Sequence, residues 1–391
     1  MEMIILRHNV KDPYGICGIK YFLSKSGIPI KENINKKARI DILYGNGIEK
    51  NSDFAIQINN KAAGKDAFEL SFIINKKDDM ISIDTDIFSL SGKILSGELE
   101  KYFPGMGIKE KKDKVSSPIL DRAGKLLTDC LISASRELDI PLIQKSFWPE
   151  GKKFAVCLTH DIDEIRKTYQ WITYPVRFAR KMDFNRVYYQ FISFLDKIKG
   201  REPYWTFGEL MDIESKRNVR STFFFLNERG KVRILDKRTW RHAGRRYDFN
   251  DSKVSGIIRE LNNKGWDVGL HGSFYSYDDC NSLIMEKKLL ENVFKSRVYG
   301  IRQHNLNLRI PETWLYQEKT GFEYDTTLGF NDCIGFRWGT CFPFRPFYAQ
   351  ENRSMDIIEI PLIIEDTAFL RSDNPWEEYA RISKEVEDCE G

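Results

Sequence analysis

FAVCLTHDID, residues 154–163, is the stretch on which the fold turns. Its first six residues are an apolar, β-rich run, and the polar residues His160, Asp161 and Asp163 follow at once. The same order of apolar run, polar turn and helical pattern recurs down the chain. STFFFL (221–226), WDVGLH (266–271), YGIRQH (299–304) and IIEIPLII (357–364) are the further strand candidates, with helical periodicity over 187–198, 207–217, 253–263, 283–294 and 312–320. Continuous apolar strands separated by amphipathic helices predict a parallel sheet covered on both faces. No GxGxxG or GxxxxGKS follows any of these strands, which disfavours a doubly wound nucleotide-binding sheet and favours a βα barrel. In a barrel the reactive groups gather at the carboxyl ends of the strands. The sequence places its polar oddities there: Asp161 and Asp163 after the first strand, His271 ending the third, Arg302 and His304 ending the fourth, and Asp366 after the fifth.

Working outward, residues 1–115 mix short β-like runs (40–43, 54–58, 67–74, 81–83) with Asn, Lys and Gly turns and read as a smaller α+β domain with no catalytic constellation. Residues 105–117, GMGIKEKKDKVSS, are Lys-rich and aperiodic and predict a loop. Residues 120–138 carry apolar residues three and four apart, so 116–150 is expected to be a helical connection into a domain over 151–391. At the far end, 374–391 reads as a helix with no strand candidate after it, so the expected barrel is incomplete at its carboxyl end, with an open strand edge and an aggregation liability.

The chain has 391 residues, 41% hydrophobic and 30% charged, with 61 Lys and Arg against 57 Asp and Glu. That composition excludes a disordered or fibrous protein, and the near balance of charge gives no reason to expect nucleic-acid binding. The opening MEMIILRHNV lacks the longer apolar core of a secretory signal, and no run approaches the roughly 20 residues that span a bilayer. Seven widely spaced cysteines without CxxC pairs read as reduced thiols of a cytoplasmic protein. Residues 165–201 combine nine Lys and Arg with many aromatics, and 231–245 is a second basic run. Such runs are ordinarily solvated helix faces; a groove for an anionic sugar chain or contact with a membrane surface are the functional alternatives.

Two carboxylates two residues apart on an extended strand face the same side, where their repulsion calls for a cation, a proton or an Arg. One can bind a divalent metal while the other takes a proton from water. His271, in GLHGSFYSYDD, could be a further ligand, and Arg302 could pair with a catalytic carboxylate.

THDID, RSTFFF, GLHGS, GIRQH, GFEYDTTLGF with GFRWGT, and IIEIPLIIED, taken in this order from residue 152 to the end, resemble the polysaccharide deacetylases of the NodB-homology type, carbohydrate esterase family 4 and its relatives. They resemble most the branch with THDxD and GLHGS motifs and an uncharacterised amino-terminal domain. The resemblance implies a distorted (β/α)7 barrel and metal-dependent removal of an acetyl group from a carbohydrate, with zinc as the expected metal. By that similarity Asp161 is the general base, Asp163 and His271 are metal ligands and Arg302 orients the base. Family members carry a second His four residues after the first, where this chain has Tyr275, so the third ligand stays open among His304, Tyr275, Asp278 and His160. His304, Asp325, Trp338 and Asp366 are the substrate-side candidates, Trp338 as a ring to stack on a sugar or, equally, as a core residue. The late His that acts as general acid in the family has no counterpart after His304. A catalytically silent barrel that binds glycans or partners, and an amidohydrolase acting on a non-sugar C–N bond, are the competing expectations.

Overall fold

The structure is a computed structural model that describes residues 2–32, 35–59, 72–228 and 247–391, together with Val232, Ile234, Leu235, Trp240, His242 and Arg245. The chain is α/β and divides into two compact units, Met1–Ala155 with Leu328–Gly391, and Val156–Thr327. The expected single domain over 151–391 is not what forms, because the last 64 residues return to the first unit.

The first unit is built on β1 (Glu2–His8), α1 (Pro13–Ser26), β2 (Lys31–Glu32), β3 (Ala38–Tyr44), β4 (Ser52–Ile58), β5 (Ile74–Lys77), β6 (Met80–Ile83), α2 (Ile87–Leu95), α3 (Ile108–Lys114) and α4 (Ile119–Glu137). Its sheet runs β2-β1-β3-β4-β6-β5, parallel except for the β5–β6 hairpin. Ile40, Ile42, Phe54, Ile56 and Ile58 form its core with Leu127 and Leu131 of α4, so the expected connection is an integral part of this unit. Helices α1 and α2 meet through glycines: a Cβ on Gly18 would lie 1.9 Å from the Phe88 carbonyl oxygen and one on Gly92 2.0 Å from that of Tyr14. The strand expected over 67–74 falls mostly outside the described residues. The Lys-rich segment expected as a loop contains α3, because Lys111 pairs with Asp332 at 2.7 Å and Lys112 with Glu378 at 2.7 Å. Tertiary partners there supply what an isolated, aperiodic helix lacks.

The second unit carries β7 (Thr159–Ile162), α5 (Gln170–Arg180), α6 (Phe184–Ile198), α7 (Phe207–Lys216), β8 (Thr222–Leu226), α8 (Ser252–Asn263), β9 (Asp267–Gly272), α9 (Cys280–Phe294), β10 (Gly300–Gln303), α10 (Glu312–Thr320) and β11 (Tyr324–Asp325). These five strands are parallel and lie side by side in chain order. Every crossover therefore steps the same way, which is the winding of a βα barrel; a doubly wound sheet would reverse. Phe223, Phe224, Phe225 and Leu226 are fully buried, as a covered parallel strand requires. The first strand begins later than its apolar run: Phe154, Val156 and Leu158 are exposed, and among the described residues β7 pairs only with β8.

After β11 the chain enters the first unit with β12 (Phe347–Tyr348), β13 (Arg353–Ser354), β14 (Ile358–Glu359), α11 (Asp366–Leu370) and α12 (Pro375–Cys389). The long strand expected over 357–364 shrinks to two residues, since Pro361 can donate no ladder bond. The Arg122 guanidinium of α4 holds Glu385 of α12 at 2.7 Å, and Ala155 N–H donates to the Gly391 carbonyl at 3.1 Å.

Candidate metal centre

The pleat of β7 sorts THDID into two sides. His160 turns to α7, where its Nε2 lies 2.7 Å from Glu214 Oε1, while Ser221 Oγ and Trp266 Nε1 donate to the other carboxylate oxygen at 2.9 and 2.6 Å. Burial raises the Glu214 carboxyl, and these three partners outweigh it and hold the group below its usual range. His160 is thus a structural partner and is not brought to the other candidate ligands. Asp161 and Asp163 take the opposite side, as their spacing predicts.

Asp163 Oδ1 lies 3.2 Å from His271 Nε2 and 3.2 Å from His304 Nδ1, and those two nitrogens are 3.1 Å apart. The three atoms form the one cluster of metal-ligating type among the described residues. Their spacing suits donors at about 2.0–2.2 Å from one shared cation. His271 Nδ1 lies 2.9 Å from the Arg302 carbonyl, which can only accept, so Nδ1 carries the proton and Nε2 offers its lone pair to the cluster. Asp163 Oδ1 is buried and accepts no well-aligned hydrogen bond, which leaves its lone pairs available to a cation. The two imidazoles hold this carboxyl well below the usual range although burial raises it. Burial lowers His271, and the carboxylates of Asp161 and Asp163 more than offset that and raise it; His304 is lowered, chiefly by burial. A carboxylate with two imidazoles is a donor set that fits a divalent ion of the zinc type.

Arg302 serves the other carboxylate. Its Nη1 reaches Asp161 Oδ1 at 3.0 Å and Thr159 Oγ1 at 2.8 Å, while Nε donates to the Thr326 carbonyl at 3.1 Å and its Oγ1 at 3.0 Å. The guanidinium is buried over the ring of Phe224, 5.0 Å from its centroid. Phe224 has that space because Gly269 stands beside it: a Cβ there would come within 2.4 Å of the ring. Gly272 likewise clears the Gln303 carboxamide, whose Oε1 a Cβ would meet at 2.2 Å. The GLHG run is therefore a frame that lets His271 sit between two crowded strands. Ser273 anchors the loop beyond it, donating from N and Oγ to Glu286 of α9 at 3.1 and 2.6 Å.

Of the remaining candidates, His304 joins the cluster and the others do not. Tyr275 is 60% exposed, and Asp278 pairs with Arg309 at 2.8 Å. Asp325 is a buried carboxylate that accepts from Trp314 Nε1 of α10 and from Thr327 Oγ1, and it is not in the cluster. Trp338 and Asp366 belong to the other compact unit. Trp338 is 1% exposed and donates to Glu100 Oε1 at 2.7 Å, a core anchor with no face free for a sugar; Asp366 is exposed in the first turn of α11.

Sequence reasoning missed three polar residues of this region. Arg245, read as part of a basic run, places Nη1 on His304 Nε2 and Nη2 3.4 Å from Asp163 Oδ2. His242 and Glu228 are buried together at 3.3 Å, and the His242 ring packs on Phe274, which packs on His304. The only sequence signal for them is the density of Lys and Arg after β8, and it looks the same for a solvated loop.

No protein-family model matches the chain, and no curated protein matches it. Among solved structures it is similar to a "putative polysaccharide deacetylase from Mycobacterium smegmatis", at 17% identity and a TM-score of 0.37 over 62% of this chain and 76% of that one. It is also similar to the Puue allantoinase, at 12% identity and a TM-score of 0.36 over 61% and 76%.

Proposed function

We propose that the chain is a metal-dependent hydrolase that removes acetyl groups from a carbohydrate. The observation that carries the metal-dependent chemistry is the meeting of Asp163 Oδ1, His271 Nε2 and His304 Nδ1 within 3.2 Å, with Asp161 held beside them on Arg302. The acetylated carbohydrate as substrate rests on the ordered motifs of the sequence. Asp163, His271 and His304 would hold the ion, and zinc suits their donor atoms. Such an ion, when bound, supplies Lewis-acid polarisation of a carbonyl oxygen and a lowered pKa for water. Asp161 has one oxygen engaged by Arg302, so Oδ2, 3.9 Å from His271 Nε2, is the atom that takes the proton from the attacking water. Arg302, tied to Thr159 and Thr326, keeps that carboxylate aimed. The His271 Nδ1–H bond to the Arg302 carbonyl couples the ligand and the orienting residue through one peptide.

Metal analysis of the purified full-length chain, followed by acetate release from a panel of acetylated sugars and non-sugar amides, tests this reading. One zinc per chain and acetate release from the sugars, lost in Asp163→Asn with the metal, are expected. Turnover confined to non-sugar amides would move the chain to the amidohydrolase reading, and absence of both metal and turnover would sink the proposal. A silent, glycan- or partner-binding barrel is favoured by one observation, the Arg245 guanidinium on His304 Nε2: that contact places a fixed positive charge beside the cluster and favours the proton on Nδ1, the ligand atom. Under that reading the parent holds no metal and Arg245→Ala gains it.

A further inference from the structure

Helices α5 and α6, in the crossover from β7 to β8, expose an apolar face that nothing among the described residues covers. In α6 no residue is buried, and in α5 only Gln170 is. Phe184, Tyr188, Phe191, Leu195 and Ile198 recur at the three-and-four spacing of one helix face, and Ile172 and Val176 do the same on α5. Exposure along this set and the intervening Met182 runs from 36% at Leu195 to 74% at Met182. A monomer in water rarely leaves so many large apolar side chains together on its surface, and such a patch marks an interaction site. The helices also carry Arg177, Arg180, Arg186 and Lys197, and residues 165–201 as a whole hold nine Lys and Arg against two Asp, a net of +7. The two Asp are engaged locally, Asp183 with Arg186 at 3.2 Å and Asp196 with Arg201 at 4.0 Å.

We propose that the α5–α6 pair is a membrane-surface binding element that lays its apolar face into the headgroup layer of an anionic bilayer. Apolar and aromatic residues on one face and Lys and Arg on the other are the composition of an interfacial helix, with the rings of Tyr188 and Tyr189 suited to the headgroup level. Charge chooses the occupant. A second copy of the chain would bring the same +7 against itself, whereas an anionic lipid surface attracts it. No helix of the described residues is long and apolar enough to cross a membrane, so the element lies on the surface. The motif count and the metal cluster play no part in this inference, which stands or falls separately from the hydrolase reading.

The test is co-sedimentation of the full-length chain with vesicles of phosphatidylglycerol and phosphatidylcholine at 3:7, against vesicles of phosphatidylcholine alone. Binding to the anionic vesicles should be at least tenfold tighter than to the neutral ones and should weaken at least tenfold in high salt. The triple variant Phe184→Ser, Tyr188→Ser, Phe191→Ser should lose at least tenfold in binding with an unchanged circular dichroism spectrum, because none of the three is buried. Leu370→Ser with Trp376→Ser, two exposed apolar residues elsewhere, should bind like the parent. Absence of vesicle binding by the parent, or equal binding by the triple variant, overturns the proposal. So does a concentration-dependent dimer that the triple variant abolishes without any vesicle binding, which would make the face an interface between copies.

Discussion

His160 and Asp161 are adjacent on β7 and point to opposite sides, so substituting them should produce different failures. His160→Ala strips one partner from the buried Glu214 carboxylate, and the expected result is a loss of about 1–3 kcal/mol of stability in denaturant unfolding with the metal content unchanged. Asp161→Asn keeps the fold and the ligands but removes the proton acceptor, and should cut the rate of acetate release by about 10²- to 10⁴-fold with the metal retained. A His160→Ala variant that folds normally but loses its metal would move His160 into the cluster and overturn this division. The Asp161/Asp163 pairing was legible in the sequence because side-chain direction in a strand depends only on parity. The third ligand was not, because it depends on the register of β9 on β10, Arg302 opposite His271, which puts His304 two residues further along the same side. Parallel register is a tertiary outcome. The partners of Asp325 were illegible for a related reason: nothing in GFEYDTTLGF shows that its carboxylate accepts from Trp314 and Thr327.

At the scale of elements, strands and helices with strong periodicity formed where the sequence placed them, and the departures have local causes. Residues 154–158 are apolar yet outside β7; α3 forms despite its Lys content because Asp332 and Glu378 bind it. Helix α1 carries a feature with a measurable consequence. Lys25 sits in its last turn, where a cation normally faces solvent, yet its Nζ is buried without a hydrogen-bond partner, among the rings of Tyr21, Phe147 and Phe342. Burial pulls its pKa from 10.5 down to about 7, with Asp121 and Cys341 opposing. Between those two values the unfolded chain holds a proton that the folded chain does not, so this group makes stability rise with pH. Tyr21 and Cys341 are both raised by burial and act in the reverse sense only at higher pH, near their ordinary values. Unfolding free energies of parent and Lys25→Met, measured from pH 7 to 8.5, should therefore converge as pH rises, with the variant the more stable at pH 7. A constant difference across that range would mean that Lys25 is not buried as an amine.

For the whole molecule, the sequence could not reveal that the chain leaves the first unit at Ala155 and returns to it at Leu328, since no composition shift marks the return and its anchors, Glu385 on Arg122 and Trp338 on Glu100, are pairs far apart in sequence. The division has a thermodynamic signature. All three candidate ligands lie in Val156–Thr327, just past the end of β7, on β9 and just past the end of β10, so an ion they share ties together three strands that the unfolded chain leaves separate. Binding to the folded state alone stabilises it by about 2.7 kcal/mol at a free metal concentration 100 times Kd. Zinc should therefore raise the thermal midpoint of the full-length chain and a chelator should reverse the shift. Asp163→Asn, which removes a ligand, should abolish the shift, while Lys25→Met, in the other unit, should show the same zinc shift as the parent. A zinc shift that persists in Asp163→Asn would place the ion elsewhere, and with it would go the assignment of His271 and His304 as its ligands.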